Sequence, residues 1–191
     1  PGETVVKYLC YYDGDGTIHY FYEEAEGTYR DEDGLGLKIT GSNGSYTMSD
    51  EKDNKWIFTN SYLTQIQDNN GNQYLITYQN GKLTKIEQKN VGCSAITVAT
   101  VGYSGNYLST ITDAAGIVTT LIYTNGKLTG IKRGSTTIAG YAYDGYQLTQ
   151  LTDVLDGDKV KFEYNDDGRV KPYFWEASNG AKGATVSVDY P

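Results

Sequence analysis

The chain has 191 residues, a hydrophobic content of 38%, a formal net charge of −8 and a pI of about 4.6. That acidity argues against nucleic acid and anionic membrane surfaces as partners, since both require basic patches. No apolar run approaches the roughly 20 residues of a membrane-spanning helix.

The first 55 residues form a lead-in segment with β character and no clean repeat. Asp13-Gly14-Asp15-Gly16, Asp31-Glu32-Asp33-Gly34 and Asn43-Gly44 read as turns, and Ile18-His19-Tyr20-Phe21-Tyr22 between them reads as a strand. The chain begins at Pro1 without a Met, so it is expected to be a fragment of a larger protein.

From Trp56 and Phe58 onward a repeat takes over, and it runs to residue 170. Tyr78-Gln-Asn-Gly-Lys-Leu83-Thr-Lys-Ile86 returns, at an offset of 45, as Tyr123-Thr-Asn-Gly-Lys-Leu128-Thr-Gly-Ile131. A second version, Tyr62-Leu63-Thr-Gln-Ile66-Gln-Asp68-Asn-Asn-Gly71, returns as Tyr107-Leu108-Ser-Thr-Ile111-Thr-Asp113-Ala-Ala-Gly116. Looser copies follow at Tyr146-Gln-Leu148-Thr-Gln-Leu151-Thr-Asp153 and at Tyr164-Asn-Asp-Asp-Gly168-Arg-Val170. The leucine-type positions are 63, 83, 108, 128, 148 and 170, a step of 20 to 25 residues. Two unit types therefore alternate, one turning on Asn-Gly and the other on Asp-x-x-Gly.

Each unit reads as a hairpin. Tyr74, Ile76 and Tyr78 alternate onto one strand face, as do Tyr141 and Tyr143, and Val160, Phe162 and Tyr164. Asn80-Gly81 and Asn125-Gly126 supply the positive φ angles of a type I′ turn. At Asp68 to Gly71 and Asp113 to Gly116, Asp bonds the turn backbone and Gly relieves strain. Leu and Ile sit three apart in each returning strand, an odd spacing that puts them on opposite faces. Either a bulge intervenes or both faces are partly covered. Residues 87–100 are an irregular insertion, and residues 171–191 form a C-terminal strand-like segment.

These units resemble the YD repeats of the RHS family, whose Tyr-Asp-x-x-Gly-x-Leu core is closest at Tyr143-Asp144-Gly145-Tyr146-Gln147-Leu148 and at Tyr164 to Val170. The resemblance covers residues 13–170. It implies an all-β chain of antiparallel hairpin repeats forming one curved or spiralling open sheet, in longer proteins the wall of a shell around a toxin or other cargo. It also implies a secreted or cell-surface bacterial protein, associated in related cases with the cell wall, with adhesion or with carbohydrate. The chain departs from the family in carrying too few repeats to close a shell, no Asp-Pro-x-Gly-Leu-type boundary and no toxin domain, so encapsulation and self-cleavage are not carried over to it.

Chemistry-bearing patterns are sparse. His19 is the single histidine and reads as a strand-face residue. Zinc needs three or four ligands, and the clustered Asp residues complete no calcium loop, so no catalytic residue, metal site or cofactor is expected. Cys10 and Cys93 read as two small buried thiols, with a disulfide as the alternative. The 19 tyrosines combine a large ring with a polar tip and favour strands. Cross-strand packing is their first reading. A sugar- or cell-wall glycan-binding role falls on Tyr62, Tyr107 and Tyr146, which follow or replace turns, and on Tyr173 and Trp175. The remaining expected partners are the rest of the parent protein and other copies of the chain through exposed strand edges.

Overall fold

The structure, a computed structural model, describes residues 7–188. Its regular elements are all strands: β1 (Tyr8–Tyr12), β2 (Ile18–Ala25), β3 (Thr28–Asp31), β4 (Lys38–Ser42), β5 (Ser45–Ser49), β6 (Lys55–Thr59), β7 (Tyr62–Gln67), β8 (Gln73–Gln79), β9 (Lys82–Lys89), β10 (Ile96–Ser104), β11 (Tyr107–Asp113), β12 (Val118–Thr124), β13 (Lys127–Arg133), β14 (Thr136–Asp144), β15 (Gln147–Asp153), β16 (Lys159–Tyr164), β17 (Val170–Glu176) and β18 (Lys182–Ser187). They form an eighteen-stranded antiparallel sheet in which strands consecutive in sequence pair. The all-β hairpin-repeat reading is therefore met. The stretch expected to be an irregular insertion holds the start of β10, which pairs with β9 around a bulge between Thr97 and Ala99. Two compact units divide between Thr100 and Val101.

The first unit has the closed core. Tyr29, Ile39, Met48, Trp56, Ile66 and Tyr74 stand opposite one another in successive registers, so they share one face. Burial fades along this row. Tyr29, Ile39 and Met48 are buried together with Phe21, Trp56 and Ile66 are half-buried, and Tyr74 is exposed. The reason is a roll: Tyr11 of β1 reaches Phe58 of β6 edge-on, with ring centroids 6.2 Å apart. Leu9, Tyr11, Tyr46 and Phe58 thereby pack over the buried four.

The second unit has no such roll. Tyr141, Leu151, Val160 and Trp175 form one cross-strand row, and Phe162, Tyr173 and Val186 form the next. All of these stay half-buried or exposed, and Gly130 is the one buried residue among those described in this unit. A sheet face ordinarily needs a second layer over it; among the described residues of this unit these rows stay partly open.

The odd Leu-to-Ile spacing resolves as a bulge. Phe58 faces Leu63 while Ile57 faces Gln65, leaving Thr64 unpaired. Thr84, Thr129 and Thr149 are skipped in the same way. The extra residue returns the Ile or Leu to the face of the preceding Leu, so Leu83 opposes Tyr78 and Ile86 opposes Ile76 on one side of the sheet. At three of the four bulges the threonine hydroxyl donates back across the hairpin: Thr64 to the Ile57 carbonyl (3.2 Å), Thr84 to that of Thr77 (3.2 Å) and Thr129 to that of Ile122 (3.3 Å).

Both expected turn types are present. Asn80-Gly81 and Asn125-Gly126 have φ values of 51° and 73°, and of 50° and 75°, as a type I′ turn requires. At the other end, Gly71 N–H donates to the Asp68 carbonyl (3.0 Å) and Asp68 N–H to that of Asn72 (3.0 Å). Asp13, Asp50, Asp113, Asn165 and Ala177 head loops with the same backbone pattern.

Candidate functional site

The hairpin tips place three of the five aromatic candidates. Strands β7 and β8 pair only from Gln65 opposite Leu75 to Gln67 opposite Gln73, and past Gln65 the two hairpins splay apart. Tyr62 fills the splay. Its ring lies 4.9 Å from that of Tyr78, and a Cβ on Gly81 would stand 3.1 Å from its hydroxyl. Tyr107 repeats the arrangement between β11 and β12, with its ring 4.9 Å from Tyr123 and its hydroxyl 3.0 Å from a Cβ on Gly126. Both rings are about half exposed, at 44% and 48%. They are packed as seam-fillers while keeping one side in solvent.

Tyr146 differs. It sits in the β14–β15 turn beside Gly145, is 98% exposed, and stacks on no other ring among the described residues. Lys127 lies with its Nζ 5.1 Å from the Tyr146 ring and 5.5 Å from that of Tyr143, and donates to the Gly145 carbonyl. The other two candidates come together on β17: Tyr173 and Trp175 share a face with rings 5.9 Å apart, and Phe162 is 6.3 Å from Tyr173. Trp175 is exposed and Tyr173 half-buried. In this unit Tyr107 and Tyr146 thus stand at separate hairpin tips, apart from the β17 pair.

Two tyrosine hydroxyls turn their polar tips to the backbone of the neighbouring hairpin. The β13–β14 ladder ends toward the tips at Gly130 opposite Gly140, so the Leu128 carbonyl lies beyond it. Tyr143 donates its hydroxyl to that oxygen at 2.9 Å. The β15–β16 ladder ends at Gln150 opposite Lys161, and Tyr164 donates to the Leu148 carbonyl at 2.7 Å. The findable signal was the pairing of each strand-end Tyr with the Leu one repeat earlier.

A polar groove of about 280 Å³ runs along the Asp-x-x-Gly ends of β6 to β9, among Asn54, Asp68, Asn72, Tyr74, Gln88 and Asn90. Asp68 accepts the N–H groups of Asn70 (2.9 Å) and Asn72 (2.8 Å) and the side-chain amide of Asn72 (2.8 Å). Asp50 makes the same set with Lys52 and Asn54. These amide bonds, from Asn72 and Asn54 respectively, hold both carboxyls below the usual carboxylate range. The amides also link one loop to the next: the Asn54 side-chain oxygen accepts Asn69 N–H (3.1 Å) and that of Asn72 accepts Val91 N–H (3.3 Å). Gln88 donates to Asn90 at 3.2 Å, and the exposed Tyr74 ring stands in register beside Gln88.

A second, mainly apolar cavity of about 230 Å³ opens at the mouth of the first unit's roll, among Leu9, Tyr11, Ile39, Tyr46 and Phe58, with Cys10 and Ser61 also lining it. Burial pushes the Tyr11 phenol up, reinforced by the Asp13 carboxylate. His19 stacks on Tyr11 at 6.1 Å and its Nδ1 is 2.8 Å from Asp33. Its side chain is mostly covered, as a strand-face residue held by a turn acid.

The reading of the cysteines as buried is corrected. Cys10 and Cys93 are both exposed and both free. Cys10 alternates outward on β1, with Leu9 and Tyr11 taking the covered face, and Cys93 lies in the loop between β9 and β10. Among the described residues no three His, Cys, Asp or Glu side chains converge as a metal site, and no helix is long and apolar enough to cross a membrane.

No family model matches the chain, and no curated protein matches it in sequence.

Proposed function

We propose that this chain is a non-catalytic structural repeat segment, a run of YD/RHS-type hairpins from a larger secreted or cell-surface bacterial protein, serving as scaffold or, together with the further repeats of that parent protein, as part of an encapsulating wall. The observation that carries this reading is the half-covered apolar face of the second unit, built from Tyr141, Leu151, Val160 and Trp175. An apolar face left this open suits cover by something larger: further sheet of the same kind or an enclosed segment. The repeated tip devices support it too, because they serve the joints between hairpins rather than one unique constellation.

Deleting residues 84–128 tests the reading. The splice joins Leu83 to Thr129 and rebuilds the Tyr-x-Asn-Gly-Lys-Leu-Thr tip intact. A repeat scaffold is expected to fold with unchanged β-sheet circular dichroism per residue. Loss of cooperative folding would count against it.

A second reading, carbohydrate binding, is favoured by the Asp-x-x-Gly groove. An exposed ring at Tyr74 with adjacent Gln88 and Asn90 amides offers a stacking surface and donors and acceptors for sugar hydroxyls. A glycan array compared with the Tyr74→Ala variant addresses it: binding lost in the variant supports it, and silence across a broad cell-wall panel removes it. The β18 edge, exposed at all six residues and registered with β17, offers a strand for a second copy. Light scattering showing only monomer at high concentration would argue against that contact.

A further inference from the structure

We infer that the tyrosine pairs Tyr62–Tyr78 and Tyr107–Tyr123 are sites of oxidative dityrosine cross-linking, each able to lock two successive hairpins covalently. The inference stands on geometry alone and does not rest on the scaffold reading.

Three observations lead to it. The first is proximity: each pair has ring centroids 4.9 Å apart, the two shortest ring separations among the aromatic pairs described, with interplanar angles of 42° and 36°. Rings at that distance touch, so two phenoxyl radicals formed there need little more than rotation about the side-chain bonds to couple. The second is access: Tyr62 and Tyr107 are each about half exposed, so an oxidant in solution reaches one ring of each pair directly.

The third is position. Each pair bridges a seam between hairpins. The β7–β8 ladder covers only Gln65–Gln67 against Gln73–Leu75, and the β11–β12 ladder only Thr110–Thr112 against Val118–Thr120. By contrast β8 pairs with β9 along its whole length, from Gln73 opposite Lys89 to Gln79 opposite Lys82. A bond between the rings would reinforce the sheet where its backbone ladder is shortest. The same arrangement at an offset of 45 residues makes it a property of the repeat.

The chemistry balances with a one-electron oxidant such as a photosensitiser–persulfate couple or a peroxide-driven peroxidase. Each phenol gives up one electron and its hydroxyl proton. The two radicals join through their ortho carbons, and the hydrogen on each of those carbons moves to oxygen, restoring both phenols. The net change is two C–H bonds broken and one C–C bond formed, with two protons passing to solvent and two electrons to the oxidant.

The test is brief visible-light oxidation of the full chain at low concentration with ruthenium(II) tris-bipyridyl and persulfate, followed by digestion and mass spectrometry. The expected products are two within-chain cross-linked peptides, Tyr62 to Tyr78 and Tyr107 to Tyr123, each lighter by two hydrogens, with yields independent of protein concentration. Tyr62→Phe is expected to abolish the first and leave the second, and Tyr123→Phe the reverse, with circular dichroism confirming that each variant is folded. Cross-links centred on the fully exposed Tyr146, or links mainly between chains, would overturn the proposal.

Discussion

Tyr143 donates its hydroxyl to the Leu128 carbonyl at 2.9 Å, crossing from one hairpin to the next just where the backbone ladder between them stops. Tyr164 does the same for Leu148 one repeat later. The oxygen belongs to the residue preceding the bulged threonine, Leu128 before Thr129 and Leu148 before Thr149, and the tyrosine hydroxyl satisfies it beyond the end of the ladder to the next hairpin.

Replacing Tyr143 with Phe keeps the ring and removes that donor. The expected loss is about 1 kcal/mol, the net worth of one such hydrogen bond, or a melting shift of about 2–4 °C for a chain of this size. Tyr12→Phe, on an exposed ring with no hydrogen bond described, is the control and is expected to leave the midpoint unchanged.

The bulge threonines are not equivalent. Thr129 donates to the Ile122 carbonyl, whereas Thr149, skipped in the same way, has no hydrogen bond described for its side chain. Thr129→Val is expected to cost about 1 kcal/mol and Thr149→Val markedly less. Urea denaturation of the two variants measures the difference.

Glycine is required at Gly41 for steric reasons. Its φ is 128°, and a Cβ there would lie 2.1 Å from the Ser45 carbonyl oxygen, a backbone atom that cannot swing away. Gly81 also has positive φ, but its nearest neighbour is the free end of Tyr62. Gly41→Ala is therefore expected to disrupt the first unit, and Gly81→Ala to cost about 1–2 kcal/mol. Thermal melts followed by circular dichroism rank the two.

Acid sensitivity is expected from Asp50 and Asp68. Both carboxyls are held below their unfolded value by hydrogen bonds, first those from the Asn54 and Asn72 side-chain amides, that the ionised form accepts more strongly than the protonated form. Their contribution is present above the unfolded pKa of about 3.9 and is lost as pH falls through the lower folded value. Asp68→Asn is expected to melt below wild type at neutral pH, with the gap closing as the pH falls through that range. A gap that stays constant from neutral to acid would contradict this.

Much of the fold was legible because its signals are local. Asn80-Gly81 and Asn125-Gly126 fix their own turn type, and the Asp68 and Asp113 loops make their own hydrogen bonds. Alternation alone put Tyr74, Ile76 and Tyr78 on one face. The bulge was visible only as a conflict, the spacing of Leu83 and Ile86, because its cause is the register of a partner strand. The Tyr11–Phe58 roll joins residues far apart in sequence and had no periodic signature. Cys10 was misplaced since cysteine's general tendency to be buried says nothing about which side of β1 it takes. Tyr62, Tyr107 and Tyr146 do stand beside turns, but the packing of Tyr62 on Tyr78 and of Tyr107 on Tyr123 depends on how adjacent hairpins splay, which sequence spacing does not reveal.

Residue-resolved amide hydrogen exchange tests most directly whether the chain is built of equivalent repeats joined at short seams. Protection is expected to be high and similar in β8–β9 and β12–β13, lower in β7–β8 and β11–β12 beyond their short ladders, and matched between residues 45 positions apart. Uniform protection across hairpins and seams, or unrelated values at equivalent positions, would contradict it.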